Sequence, residues 1–347
     1  MNPKLKKALR IIGLLIFSAL GIKILSPYIA KVPDSINAIK DLNYLALSSA
    51  IFFEFLRYAA CAFLLNSILG LFKDRVSLWQ GMLIVLASAS FGMVAGGMAG
   101  SIAASIQWLR KRNVKMQAAT IASILPNLLN NVAIFLLSLV GFLYLWSLEA
   151  LTSSQLNAFL IILILLIVAL FFMGLFLVQR EKATALFLSL AEKISKTFKK
   201  SLDEIKMKDQ IKEIYEVWDV ILKRKWWEPL LGLVMSFGFD MTALYSLFYA
   251  AGELPSLKTL IIGYGLPQIF GKAAFVLPGG IGVVESTMIS LYEKLGISSL
   301  NTVMVVLAYR FLAFIVPTFL GFLLVFYLQK DIGKKKIGVE TIKNIGD

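Results

Sequence analysis

Residues 275–285 read Phe-Val-Leu-Pro-Gly-Gly-Ile-Gly-Val-Val-Glu and lie near the middle of the apolar segment 259–295. Proline cannot continue a helix and glycine tolerates a positive φ, so Pro278, Gly279 and Gly280 suit a turn between two short helices. A single membrane span needs roughly 20 apolar residues, and the segment is much longer than that. The stretch therefore predicts a re-entrant helical hairpin, which enters the membrane and returns to the same side.

A second glycine-rich run lies in the first half of the chain. Residues 92–100 read Gly-Met-Val-Ala-Gly-Gly-Met-Ala-Gly and fall near the middle of the apolar segment 77–108. We expect a re-entrant hairpin here as well. The alternative for this segment is one ordinary glycine-rich helix, because glycine is common where transmembrane helices pack closely.

The composition of the whole chain is that of a membrane protein. It is 59% hydrophobic and 16% charged, whereas soluble domains have about 45–50% apolar and about 25% charged residues. The apolar segments are 11–29, 43–72, 77–108, 117–148, 156–178, 229–251, 259–295 and 300–328. They predict an all-α polytopic protein with six full spans and two re-entrant hairpins, the first span being an uncleaved helix and not a signal peptide.

Basic residues set the predicted orientation, since Lys and Arg are enriched in cytoplasmic loops. Of 35 basic residues, 27 fall in five stretches, namely 1–10, 73–75, 110–115, 180–228 and 330–343. Placing all five inside puts both ends of segment 77–108 in the cytoplasm and both ends of segment 259–295 outside. We therefore predict a multi-pass protein of the cell membrane with cytoplasmic N- and C-termini.

The order of spans and hairpins then predicts an inverted repeat. Gly96-Gly97 and Gly279-Gly280 are 183 residues apart, and the same offset relates Arg57 to Asp240 and Asn127 to Arg310. Inverted repeats are the common plan of secondary transporters, whose sites lie at the membrane midplane where helices are discontinuous.

Four regions follow from this arrangement. The first membrane repeat with the fifth span takes 1–179, and the rest of the second repeat takes 229–330. Between them, 180–228 reads as an amphipathic helical linker on the cytoplasmic membrane surface, with a solvated connecting helix as the alternative. Residues 331–347 form a basic cytoplasmic tail.

Six ionisable residues lie within the apolar segments, and each costs roughly 2.5–3.5 kcal/mol on insertion scales. They are Glu54, Arg57, Asp240, Lys272, Glu285 and Arg310. Glu54 is three residues before Arg57 and can pair with it on one helical face. The alternative partner for Arg57 is Asp240, across the two repeats. Six buried charges predict a polar cavity instead of a solid bundle.

The charges near the second break predict an anion site. Glu285 lies close to the N-terminus of the returning half-helix, where the helix dipole alone would stabilise a carboxylate. The functional interpretation is that this N-terminus, Lys272 and Arg310 bind a phosphate-containing headgroup, with Glu285 balancing their charge. The candidate substrate-binding residues are Arg57, Asp240, Lys272, Pro278, Gly279, Gly280, Glu285 and Arg310.

The run 275–285, followed by Leu295-Gly296-Ile297, Tyr309-Arg310, Pro317 and Gly321, resembles the lysylphosphatidylglycerol synthase transmembrane region. This flippase-like family includes the membrane half of the multiple peptide resistance factor. Glu54-Phe-Leu-Arg57 is similar to the arginine-bearing second span of the family. Residues 94–100 depart from it, because they lack the proline and the glutamate that the family carries in its first half.

The resemblance implies a lipid translocator that moves a phospholipid or a polyprenyl-phosphate-linked lipid between leaflets. Two alternatives are a membrane-embedded lipid-linked transferase and a scaffold for a soluble lipid-modifying enzyme. We expect no enzyme activity, because no synthase domain is recognised after Lys330. The expected partners are lipids with anionic headgroups, a separate soluble synthase or glycosyltransferase, and a second copy in a homodimer, but no nucleic acid.

We expect no cofactor and no metal. The chain has no histidine and a single cysteine, Cys61, which excludes His-ligated zinc and haem sites, Ser-His-Asp triads and cysteine-ligated clusters. It also lacks the GxxxxGK[ST] motif of ATP-binding loops.

Overall fold

The computed structural model describes residues 43–95, 97–147, 226–273 and 278–328, together with scattered residues between 157 and 215. The chain divides into two compact units, one of residues 1–144 with 226–347 and one of residues 145–225. The predicted span 11–29 and the tail 331–347 lie outside the described residues. So do most of the span 156–178 and of the linker 180–228.

The described segments are helical. The helices are α1 (Tyr44–Leu71), α2 (Leu78–Val94), α3 (Met98–Lys111), α4 (Met116–Ser147), α5 (Trp227–Ala250), α6 (Leu257–Ala273), α7 (Val283–Lys294) and α8 (Ser299–Leu328). Four of them, α1, α4, α5 and α8, are long and apolar enough to cross a membrane. The prediction of an all-α polytopic membrane protein is confirmed.

Polar residues next to the apolar segments determine where several helices begin. The Asn43 side chain accepts hydrogen bonds from the backbone N–H groups of Leu45 and Ala46 at the start of α1. Ser77 and Gln80 form a reciprocal capping box at the start of α2. Such caps satisfy N–H groups that the first helical turn leaves without partners.

Segment 77–108 is broken at the predicted place. Helix α2 ends before Ala95 and α3 begins after Gly97, whose φ is 69°. The two helices approach closely, since a Cβ atom added to Gly92 would lie 2.7 Å from the carbonyl oxygen of Gly97. The alternative of one uninterrupted helix is therefore wrong. We call α2 and α3 the first helix pair.

Segment 259–295 is broken in the same manner. A 3₁₀ turn, Pro278–Gly280, separates α6 from α7. Gly279, Gly280 and Gly282 have φ values of 65°, 66° and 86°, which favour glycine. We call α6 and α7 the second helix pair.

The outer ends of each helix pair lie together. The backbone N–H of Lys115, after α3, donates to Asp74 Oδ2, before α2, at 3.0 Å. In the second pair, Asn301 Nδ2 donates to Glu253 Oε1 at 2.9 Å. Each pair therefore leaves the bundle near the place where it enters.

The two helix pairs approach from opposite ends of α1 and α5. These two helices run antiparallel, because Asn43 N–H donates to the Ala250 carbonyl at 3.2 Å and Gly232 lies against Leu64. The outer ends of the first pair follow the C-terminus of α1, and those of the second pair follow the C-terminus of α5. These two termini lie at opposite ends of the antiparallel helices.

The hydrophobic core of the second half lies among α5, α6, α7 and α8. Phe248 and Tyr292 meet edge to face, with ring centroids 4.7 Å apart. A Cβ atom at Gly263 would lie 2.2 Å from the Tyr292 ring, so glycine makes room for that ring. This packing holds the second helix pair against α5 and α8.

Candidate functional site

A cavity of about 430 Å³ lies between both halves of the bundle, and we call it the charged cavity. Helices α1, α4, α5, α6, α7 and α8 and the second break contribute to its wall. Most of the predicted site residues line it, namely Arg57, Asp240, Lys272, Gly279, Gly280 and Arg310. Pro278 lies in the adjoining turn, and Glu285 lies behind Arg310.

Arg310 ties α8 to the second break. Its Nε donates to Glu285 Oε1 at 2.5 Å, and its Nη2 donates to the Gly279 carbonyl at 3.0 Å. The guanidinium also lies over the Phe314 ring, 4.4 Å from its centroid. The third nitrogen, Nη1, has no hydrogen-bond partner in the protein among the described residues.

Glu285 occupies the N-terminus of α7. Besides accepting from Arg310, its carboxylate accepts the Gly282 N–H at 2.6 Å through Oε2. Glu285 therefore lies at a helix N-terminus, where the dipole stabilises a carboxylate, and is also paired with Arg310. A ligand anion that approached the same N–H groups would have to displace Glu285.

Arg57 lies in a cluster of two carboxylates. Its Nη2 is 2.5 Å from Glu54 Oε1, and its Nη1 is 3.7 Å from Asp240 Oδ2. The same Nη2 donates to the hydroxyl of Tyr58 and, at 3.1 Å, to the carbonyl of Ala313. The two alternative pairings of Arg57 therefore coexist.

Two tyrosines hold Asp240, and sequence reasoning missed this arrangement. The hydroxyl of Tyr264 donates to Oδ2 at 2.7 Å, and that of Tyr309 donates to Oδ1 at 2.8 Å. Tyr264 has no sequence signal that separates it from other aromatic residues of the apolar segments. Tyr309 is adjacent to the buried Arg310 and belongs with it to the motif that carries the family resemblance, and these two signals could have identified it.

Lys272 differs from the two arginines. Its ammonium donates to Asn131 Oδ1 at 2.7 Å, and the side chain is exposed. No carboxylate of the described segments lies within salt-bridge distance of it. The positive charge is therefore least compensated at Lys272, whereas Arg57 faces two carboxylates.

A smaller cavity of about 180 Å³ adjoins the charged cavity. The two share Cys61, Asn130 and Ser236 as wall residues. The smaller one extends between α4 and the first helix pair, and we call it the serine cavity. Its further polar lining consists of Ser88, Ser101, Ser105, Ser123 and Asn127. No ionisable side chain but that of Cys61 lines it in the described part of the chain.

Comparisons with known proteins point to one family. The chain is 26% identical over 256 residues to a UPF0104 membrane protein of Pyrococcus horikoshii, a match that covers 69% of this chain and 73% of that protein. It is also 26% identical over 137 residues to a UPF0104 membrane protein of Methanocaldococcus jannaschii, of which the match spans 40%, and 39% of this chain. The family model of the lysylphosphatidylglycerol synthase transmembrane region matches residues 10–321. The chain therefore belongs to the lysylphosphatidylglycerol synthase transmembrane region family.

Proposed function

We propose that the protein translocates a lipid with a phosphate-containing headgroup, a phospholipid or a polyprenyl-phosphate-linked lipid, between the leaflets of a membrane. The observation that carries this proposal is the charged cavity among helices that are long and apolar enough to span. Charges at membrane depth are costly and mark substrate pathways. A headgroup that leaves water needs such a cavity to replace its hydration.

The donors of the cavity fit a phosphate group. Lys272 has two further N–H donors beyond its bond to Asn131, and the N–H donors of Arg310 Nη1 have no partner among the described residues. Guanidinium and ammonium groups form strong charge-assisted hydrogen bonds with phosphate oxygens. In the absence of lipid, Glu285 would neutralise the charge of Arg310. When a headgroup is bound, Arg310 would share its hydrogen bonds between Glu285 and the phosphate.

The serine cavity would extend the polar route. It adjoins the charged cavity at Cys61, Asn130 and Ser236 and leads toward the first helix pair. Hydroxyl and amide groups can solvate a moving headgroup without holding it as tightly as a charge would. We propose that the headgroup passes from one cavity to the other during translocation.

We further propose that the two helix pairs are re-entrant hairpins of an inverted repeat, with both chain termini in the cytoplasm. Their approach from opposite ends of α1 and α5 supports this interpretation. So does a parallel in the contacts of α4 and α8, each of which touches both helix pairs. Ser123 meets Ser105 and Ser138 meets Gly265 from α4, while Gly321 meets Ser90 and Arg310 meets Glu285 from α8. Alternating access would rock one repeat against the other.

The proposal is tested with purified protein in liposomes. A fluorescent phospholipid and a fluorescent glycosyl lipid without phosphate are followed between leaflets by chemical quenching of the outer leaflet. We expect the protein to accelerate transfer of the phospholipid much more than that of the glycosyl lipid. Equal rates with and without protein for phosphate-containing lipids, including a polyprenyl phosphate, would refute the proposal.

A matched pair of variants assigns the effect to the cavity. Lys272→Gln removes the least compensated cavity charge and should slow phospholipid transfer at least tenfold. Lys294→Gln removes an exposed lysine at the far end of the same helix pair and should leave the rate unchanged. Equal rates for the two variants would contradict a role for Lys272.

A further inference from the structure

A second large cavity, of about 450 Å³, lies on another side of α1. Side chains of α1, α2 and α8 line it, and all are apolar or aromatic except Glu54. Ile51, Phe55 and Trp79 are exposed at its wall, whereas Glu54 and Met82 are buried. We call it the apolar cavity.

One ion pair separates the apolar cavity from the charged cavity. Glu54 lines the former and Arg57 lines the latter, and their side chains meet at 2.5 Å. The wall continues through α8, where Leu312 faces the apolar cavity while Ala313 and Phe314 line the charged one. Arg57 fastens this wall by donating to the Ala313 carbonyl.

The wall includes an irregular turn of α8. Residues Phe311–Ile315 form a π-helical turn inside an otherwise α-helical segment. Such turns are rare, contain one extra residue per turn and are frequent at functional sites. Neither Glu54 oxygen has a well-aligned hydrogen bond among the described residues, although Oε1 contacts Arg57. The partition is therefore held by few directional bonds.

We propose that the apolar cavity binds a hydrocarbon chain of the lipid whose headgroup occupies the charged cavity, and that the Glu54–Arg57 pair is the partition between chain and headgroup. This inference rests on the proposed function. A lipid has one charged end and one apolar end. The Glu54–Arg57 pair likewise separates a cavity with charged lining from a cavity with apolar lining. The apolar lining disfavours water and ions, and burial of a chain there stabilises the complex through contact with Met82, Leu86 and Leu320.

The binding site is tested by photolabelling in liposomes. A phospholipid with a diazirine near the end of one acyl chain is crosslinked to the protein, and the adducts are located by mass spectrometry. We expect adducts on Met82, Leu86 and Leu320 whose yield saturates as the fraction of labelled lipid rises. Adducts on Leu136 and Val140, exposed on α4, should instead rise in proportion to that fraction. Proportional labelling at both places would overturn the inference.

A filling variant makes the test specific. Leu320→Trp places a larger ring at the wall of the apolar cavity, and Leu136→Trp is its matched control on the exposed face of α4. We expect Leu320→Trp to reduce adducts on Met82 and Leu86 at least fivefold and to slow phospholipid transfer at least tenfold. Leu136→Trp should change neither. Wild-type labelling and transfer in folded Leu320→Trp would contradict the proposed chain site.

The outcomes separate this inference from the proposed function. Saturable cavity labelling that Leu320→Trp abolishes, in a protein that moves no lipid, would support the chain site and refute translocation. Translocation by wild-type protein with no cavity adducts would refute the chain site and leave translocation intact. Labelling of the apolar cavity by a phospholipid with the diazirine on its headgroup would also overturn the assignment of chain and headgroup to the two cavities.

Discussion

The two breaks in the helix pairs have similar geometry and different chemistry. At the first break, Gly92 and Gly100 let backbone pass close to backbone, and no described charged side chain lines the adjoining serine cavity. At the second break, Arg310 bonds to the Gly279 carbonyl and Glu285 bonds to the Gly282 N–H. The first break is held by local packing, whereas the second is held by an ion pair from another helix.

This difference indicates which of the two breaks a ligand can change. The conformation of a break that is held by backbone packing can change only if the two helices move apart. A break held by Arg310 changes whenever something else competes for that guanidinium, such as a phosphate group. We therefore expect the second break to respond to lipid and the first to provide a neutral route.

We expect the clearest difference between the two helix pairs in the side of the membrane from which cysteines at their ends can be labelled. In a Cys61→Ala background, Arg75→Cys and Lys115→Cys flank the first pair, while Lys258→Cys and Lys294→Cys flank the second. The first two should react with a membrane-impermeant maleimide only from the cytoplasmic side, and the last two only from outside, because each pair returns to its side of entry. Labelling of Lys258→Cys and Lys294→Cys from opposite sides would contradict the re-entrant interpretation.

The next effect compares one glycine in each break. An added Cβ at Gly280 would lie 2.7 Å from Gly271 Cα, while an added Cβ at Gly97 meets nothing within 4 Å. Both have positive φ, so each alanine stores about 1–3 kcal/mol of backbone strain. Gly280→Ala adds about 1–3 kcal/mol of overpacking. Thermal unfolding in detergent should show the larger drop in Tm for Gly280→Ala, and a larger drop for Gly97→Ala would argue against the packing described.

A smaller effect is expected at the carboxylate beside the second helix pair. Tyr309→Phe leaves Asp240 Oδ1 without its hydroxyl donor, which should lower the free energy of unfolding by about 1–3 kcal/mol. The control is Tyr327→Phe, which removes a hydroxyl from an exposed side chain of the same helix. Equal Tm values for the two variants would show that the Asp240 contact contributes nothing.

The smallest effect is expected where α4 meets the first helix pair. Ser123→Ala removes the buried hydrogen bond to Ser105 Oγ, which has an Oγ–Oγ distance of 2.8 Å. Hydrogen bonds between membrane helices contribute about 0.6 kcal/mol on average, so the change in unfolding free energy should be below about 1 kcal/mol. Ser48→Ala, at an exposed serine bonded to its own helix, serves as control. A loss as large as that in Tyr309→Phe would mean that the first pair is also held by strong polar contacts.

Both breaks and the charged residues of the cavity could be predicted from the sequence, because Pro, Gly and ionisable residues are conspicuous in apolar segments. Composition does not reveal the close contacts at the first break, such as that of Gly100 with the Ala95 carbonyl. The tyrosines around Asp240 are 24 and 69 residues away from it. Only the fold brings them together.

The apolar cavity and the irregular turn of α8 were also beyond sequence reasoning. Residues 311–315 read Phe-Leu-Ala-Phe-Ile and contain neither Gly nor Pro, so no local signal marks the π turn. The apolar cavity consists of residue types that fill every lipid-facing surface. Its outline depends on the spacing of α1, α2 and α8, which is set by tertiary packing.

We propose that the charge of Arg310 binds the lipid headgroup and does not only stabilise the fold. The most direct measurement is a cycle of Arg310→Gln, Glu285→Gln and the double variant, with Tm and phospholipid transfer determined for each. Removing one partner of a buried ion pair destabilises by about 3–5 kcal/mol, and removing both restores much of that loss. We predict that the double variant regains a Tm near that of the wild type and still fails to translocate phospholipid. A double variant that folds and moves phospholipid at the wild-type rate would show that Arg310 has only a structural role.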